Sequence, residues 1–136
     1  MNFGFLPYSL NADLSHFQGQ IQYICSENGV DLYKAMEELK QPILGIPVID
    51  INFYFFEGSL ITVYSHLGEF VCHLDKVIET IEKVILEYSK ILKTHSSHVY
   101  YWQNKTQFLG LMVQRKSKSL LIYHSLELYN IFNQYI

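Results

Sequence analysis

The stretch that most constrains this chain runs from Asp50 to Leu67, where two runs of aromatic and β-branched residues flank Glu57-Gly58. Glycine accepts the positive φ of a tight turn, so the pair predicts a β-hairpin with a two-residue loop. In that register Phe56 faces Ser59, Tyr54 faces Ile61 and Asn52 faces Val63. Tyr54, Phe56, Ile61 and Val63 then share one side, with Ile51, Phe53, Phe55, Leu60 and Tyr64 on the other. Both sides are apolar. The hairpin therefore needs a cover on each face, and the remainder of the chain is read as that cover.

With 136 residues, the chain is expected to form a single domain spanning 1–136, long enough to bury a sizeable core. Apolar residues make up 49 % and charged residues 17 %, which places it among folded globular proteins. A net charge of −3 offers no basic footprint for a phosphate backbone, so nucleic acid is not an expected partner. Cys25 and Cys72 show no ligand spacing and are expected to be free, buried thiols in a reducing compartment, with a single disulfide in a secreted protein as the alternative. The N-terminal residues lack the charged and apolar regions of a secretory signal. No apolar run approaches the ~20 residues of a membrane span. A soluble cytoplasmic protein, with no membrane partner, is the expectation.

Taken in order, Asn2 to Leu10 reads as an edge strand or extended arm, because Pro7 cannot donate to a ladder. Leu14, Phe17, Ile21 and Ile24 recur at helical spacing within 11–25, and Leu32, Ala35, Met36 and Leu39 do so within 31–41. Ser26 to Gly29 breaks the two. After the hairpin, Leu74, Val77, Ile78, Ile81, Val84, Ile85, Tyr88, Ile91 and Leu92 predict a long amphipathic helix over about 73–93. Glu79–Lys83 supplies a favourable i, i+4 pair on its polar side.

Period two returns at Val99 to Gln103. A turn at Asn104-Lys105, a strand over 106–114, a second turn at 115–118 and a strand over 119–124 follow. Trp102, Leu109, Leu111, Val113, Leu120 and Ile122 fall on one face, and Tyr101, Phe108, Met112, Leu121 and Tyr123 on the other. The tail, 126–136, reads as a short closing helix. The expected class is α+β: a mainly antiparallel sheet of two hairpins plus one strand, packed on a long central helix with terminal helices.

Chemistry-bearing motifs are sparse. His95 and His98 form the single close histidine pair but have no nearby Cys or acidic cluster to complete a zinc set. Cys72 lies beside His73 and near His66, yet a nucleophilic pair needs a third, orienting group. No pair of acids stands at a readable spacing, and the glycines never form a phosphate-cradling loop. No catalytic residue, metal or cofactor is assigned, and a non-enzymatic role is expected. Tyr100-Tyr101-Trp102 is the most suggestive surface element, because neighbouring strand residues point oppositely and tyrosine and tryptophan are common binding anchors.

The layout from Phe53 to Ser125 combines Tyr-Phe-Phe-Glu-Gly-Ser-Leu-Ile-Thr-Val-Tyr, a long amphipathic segment, Tyr-Tyr-Trp and a closing hairpin. It resembles small bacterial α+β immunity proteins of polymorphic toxin and contact-dependent growth inhibition systems. The resemblance is one of pattern, covers a little over half the chain and transfers no functional residue. It implies an antitoxin that neutralises a cognate protein toxin by occluding its active site, with a nuclease as one candidate target. Glu57, Glu69, Tyr100, Tyr101 and Trp102 are the candidate partner-binding residues. A second reading is a small-ligand module or enzyme with a pocket between sheet and helix, using Tyr64, Tyr101, Tyr123 and His124. A third is an adaptor that homodimerises through an uncovered sheet face.

Overall fold

A computed structural model describes residues 6–68, 76, 78, 79, 83, 90–93, 99–103, 106–114 and 119–129, with the backbone alone at 90–93, 99–101, 103, 114 and 127. The first half is organised by two hairpin turns. Asn28-Gly29 (φ 54° and 81°) and Glu57-Gly58 (φ 51° and 78°) are left-handed at both positions, as a type I′ turn requires. That turn matches the right-handed twist of its strands. The first joins β1 (Ile21–Glu27) to β2 (Val30–Ala35), and the second joins β3 (Val48–Phe56) to β4 (Ser59–Leu67).

The chain re-enters the sheet at β5 (Lys90–Lys93) and continues through β6 (Val99–Gln103), β7 (Gln107–Gln114) and β8 (Ser119–Leu126). Among the described residues these form one antiparallel sheet in the order β1-β2-β3-β4-β8-β7-β6-β5. Two four-stranded meanders thus meet where β4 pairs with β8, and β1 and β5 lie at opposite edges.

The α+β class with a long central helix is not what forms. The protein is mostly antiparallel sheet, and no helix of seven or more residues is present among the described residues. Of 11–25, only Leu14–Phe17 coils, as a 3-10 turn, and Ile21 onward is strand β1. Of 31–41, Asp31 to Ala35 is strand and Glu37–Leu39 a 3-10 turn. Of 73–93, Lys76, Ile78, Glu79 and Lys83 have helical backbone, Lys90–Lys93 is strand β5, and the other positions lie outside the described residues. The Glu79–Lys83 ion pair is present at 3.3 Å. The tail ends β8 at Leu126 and makes a 3-10 turn at Glu127–Tyr129; 130–136 lie outside the described residues.

The physical reason for β1 and β2 is the Asn28-Gly29 turn. Once it closes, Ile21 pairs with Ala35 and Tyr23 with Tyr33, and β2 adds to β3 with Tyr33 opposite Phe53. Sheet pairing beyond the local window overrides a short helical spacing.

The inner face of the sheet carries Ile51, Phe53 and Phe55 of β3, Leu60, Val63 and Leu67 of β4, and Ile122 of β8, all essentially inaccessible. Leu109 and Leu111 of β7 and Trp102 of β6 extend it, as the alternation in the second meander predicts. The roof is made by the N-terminal arm (Leu6, Tyr8, Leu10), Phe17, and the connector residues Leu39, Ile43 and Ile46. Each such side chain contributes roughly 1.5–3 kcal/mol by leaving water. The arm packs as coil rather than strand; Tyr8 meets Phe53 edge-on, with ring centroids 5.8 Å apart.

Register in the central hairpin departs from the expectation at one residue. Phe56 opposes Ser59 and Phe55 opposes Leu60, but Tyr54 opposes Thr62, so Ile61 is a bulge. An extra residue reverses the faces of everything beyond it. Val63 therefore joins Phe53 on the inner face, and Tyr64 opposes Asn52 on the outer face beside Tyr54. Near the tip, Asn11 N–H donates to the Leu60 carbonyl and Leu14 N–H to the Gly58 carbonyl, both at 2.8 Å. These bonds fill the edge of β4 that β8, whose pairing starts at Thr62, leaves open.

Candidate functional site

The outer face has its own aromatic layer. Tyr64 meets Tyr123 at a tilt with ring centroids 4.9 Å apart and Tyr54 edge-on at 5.7 Å, and Tyr123 meets Phe108 at 5.7 Å. Phe108 and Tyr123 are fully buried beneath it. One row across the strands reads Tyr54, Thr62, Ser125, Phe108. Two small hydroxyl residues between large rings leave a dip in the surface. That dip is a concavity of about 280 Å³ lined by Val30, Tyr54, Ile61, Thr62, Tyr64 and Tyr129.

Its floor is internally satisfied. Thr62 Oγ1 and Ser125 Oγ lie 2.9 Å apart, and Ser125 Oγ also donates to the Leu126 carbonyl at 3.0 Å. Tyr129 closes one side: Tyr123 Oη donates to its carbonyl at 3.4 Å, and its ring lies 6.0 Å from that of Phe56. Burial, with smaller contributions from the phenols of Tyr123 and Tyr54, pushes the Tyr64 phenol up to about 12. Burial also raises that of Tyr54. Both stay neutral at physiological pH and present π faces and O–H donors rather than charge.

No charged side chain lines the concavity; the nearest acids are Glu27, opposite Val30, and Glu57, next to Phe56. The end of the first meander nearest Val30 and the Glu57-Gly58 turn carries Asp13, Glu27, Asp31 and Glu57, of which Asp13, Glu27 and Glu57 are exposed. The lysine of β2, Lys34, sits towards the opposite end and pairs with Asp50 at 3.3 Å. Lys40 lies beyond that opposite end and pairs with Glu37. This end of β1 to β4 therefore carries acids and no lysine or arginine.

Of the five residues expected to bind a partner, Glu57 is exposed at the hairpin tip. Trp102 is not at the surface: it is 2 % exposed, packed on the inner face, with its indole N–H lacking a hydrogen-bond partner among the described residues. Tyr100 and Tyr101 pair through their backbones with Leu111 and Gly110, and their side chains lie outside the described residues. Glu69 lies outside them altogether, as do Cys72, His73, His95 and His98. Cys25 is a free thiol, but exposed on β1 rather than buried.

The pocket residues named for a small ligand are divided by the sheet. Tyr64 lines the concavity, Tyr123 supports it from behind, and His124 faces the inner side, where Nε2 meets Gln107 Oε1 at 2.9 Å. Tyr54, Thr62, Tyr129 and Val30 were not legible as site residues. The Asn28-Gly29 dipeptide was the available signal, since a hairpin there brings Val30 beside Phe56. Among the described residues no three His, Cys, Asp or Glu side chains cluster to hold a metal ion. No helix among them is long and apolar enough to cross a membrane. Comparison with family models, curated proteins and solved structures finds no match in any of the three.

Proposed function

We propose that this chain is a non-enzymatic, cytoplasmic binding protein, an immunity protein that neutralises a cognate bacterial toxin by covering a basic active-site surface. The observation that carries the reading is the pair of exposed acids at the end of the first meander, Glu27 opposite Val30 and Glu57 next to Phe56, beside a tyrosine-lined concavity. Acidic groups steer a basic partner into encounter and reject acidic ones. Tyrosines in a partly desolvated depression supply anchoring area with little loss of side-chain freedom. A nuclease, whose active site attracts phosphate, presents the complementary surface. Glu57 keeps the role expected for it, and Tyr54, Tyr64 and Tyr129 take the place of Trp102.

The test is co-expression with the product of the neighbouring reading frame. Rescue of growth by this chain, together with a one-to-one complex that weakens in Glu57→Lys protein, is the expected result. A neighbouring product that is neither toxic nor bound removes the reading. At about 280 Å³ the concavity falls just below the roughly 300–1,000 Å³ typical of ligand pockets, which favours a protein partner over a small ligand.

A further inference from the structure

We propose that the concavity between Tyr54, Tyr64 and Tyr129 is a cage for one arginine side chain of a basic protein partner. The inference deepens the binding function and rests on it. Three features of the site converge on that occupant.

The first is size. At about 280 Å³ the space suits a single long side chain better than a drug-sized molecule. The second is the wall. Tyr54 and Tyr64 are inclined at 68° to one another, so their ring faces differ in direction, and Tyr129 adds a third ring at one side. Aromatic faces attract cations through the ring quadrupole, and a planar guanidinium stacks on them as an ammonium does not. The aliphatic parts of Val30 and Ile61 match the methylene stem of the same side chain.

The third feature is charge. The phenols are neutral, so the cavity itself does not hold a cation by ion pairing, yet the adjoining turns bear two exposed acids, Glu27 paired with Val30 and Glu57 next to Phe56. A cation approaching those turns is favoured before it enters. An acidic or uncharged aromatic occupant gains nothing from Glu27 and Glu57. Charge complementarity thus separates arginine from the apolar anchors that a tyrosine pocket alone would also accept.

The probe is N-acetyl-arginine amide, and the control is its citrulline counterpart, which has the same shape without the charge. Both are titrated into the full chain and followed by NMR shifts of the tyrosine rings. Saturable shifts are expected for the arginine compound, with binding at least about fivefold tighter than for citrulline. Tyr64→Leu, which keeps apolar bulk but removes a ring face, is expected to lose that preference. Tyr54→Phe, which keeps the face and removes the phenol, is expected to bind within about twofold of the parent. Unchanged Trp102 fluorescence verifies that both variants are folded.

Equal binding of the two compounds, or no saturation up to about 50 mM arginine compound, overturns the cage. A toxin complex that forms at parental affinity in Tyr64→Leu protein also overturns it, while the binding function stands. Selective arginine binding with no toxin partner found leaves the cage in place and removes the toxin reading.

Discussion

The imidazole of His124 and the side-chain amide of Gln107 meet at 2.9 Å, both buried on the inner face. The ring is neutral, with Nε2–H donating to Oε1. Tyr8 lies over it at 5.7 Å between ring centroids. Burial lowers the His124 pKa to about 3, against an ordinary 6.5. The unfolded chain therefore takes up a proton before the folded one does. Stability from this group is complete above pH 6.5 and is lost as pH falls towards 3. Between pH 7.5 and 5 the loss is expected to be about 2 kcal/mol from this one residue, measured by urea unfolding at each pH. His124→Gln should remove that slope; an unchanged slope in the variant would assign it elsewhere.

Glu57 sits at φ 51°, a left-handed conformation that glutamate tolerates poorly and asparagine well. Glu57→Asn is expected to stabilise the protein by about 0.5–1 kcal/mol while removing an acid from the end of the first meander. Higher stability combined with slower association with a basic partner, most pronounced at low salt, is the outcome the structure implies. Unfolding midpoints and stopped-flow association rates read the two effects separately.

Trp102 is the single tryptophan and is buried in the core. Its emission should be blue-shifted in the folded protein, resist iodide quenching and move to the red in a single transition on unfolding. Partner binding should leave it almost unchanged. A large shift on complex formation would return Trp102 to the interface.

Gly110 stands opposite Tyr123 on the outer face. A Cβ there would lie 3.1 Å from Phe108 Cε1, and Phe108 is fully buried and cannot swing away freely. Gly110→Ala should cost about 1 kcal/mol, the strain outweighing the gain from a stiffer unfolded chain. Because Phe108 underlies Tyr123, which supports Tyr64, arginine binding should weaken as well. Thermal unfolding and the arginine titration are the measurements.

Local chemistry accounts for a definite part of this molecule. Aromatic and β-branched runs around Glu57-Gly58 specify a hairpin, and period-two spacing assigns Trp102 and the faces of β7 and β8 correctly, but not β5, where the spacing predicts helix. Tyr64 shows the limit. Alternation counts from a turn, and the bulge at Ile61 shifts the count by one, moving Tyr64 from the core side to the side of Tyr54. Ile61 bears no local mark distinguishing it from a paired residue. Trp102 shows the same limit from the other direction: alternation places it on a face, but burial depends on what roofs that face.

What the amino-acid order alone determined was which short segments could extend, where chirality allowed them to turn, and that both sides of the resulting sheet would be apolar. Tertiary structure decided that residues 21–35 join the sheet rather than coil, because Ile21 to Ala35 gain partners in each other and in β3 that no isolated helix could match. It also decided where the outer face dips. The small Thr62 and Ser125 come from strands distant in sequence, and only their hydrogen-bonded pairing sets them side by side between Tyr54 and Phe108.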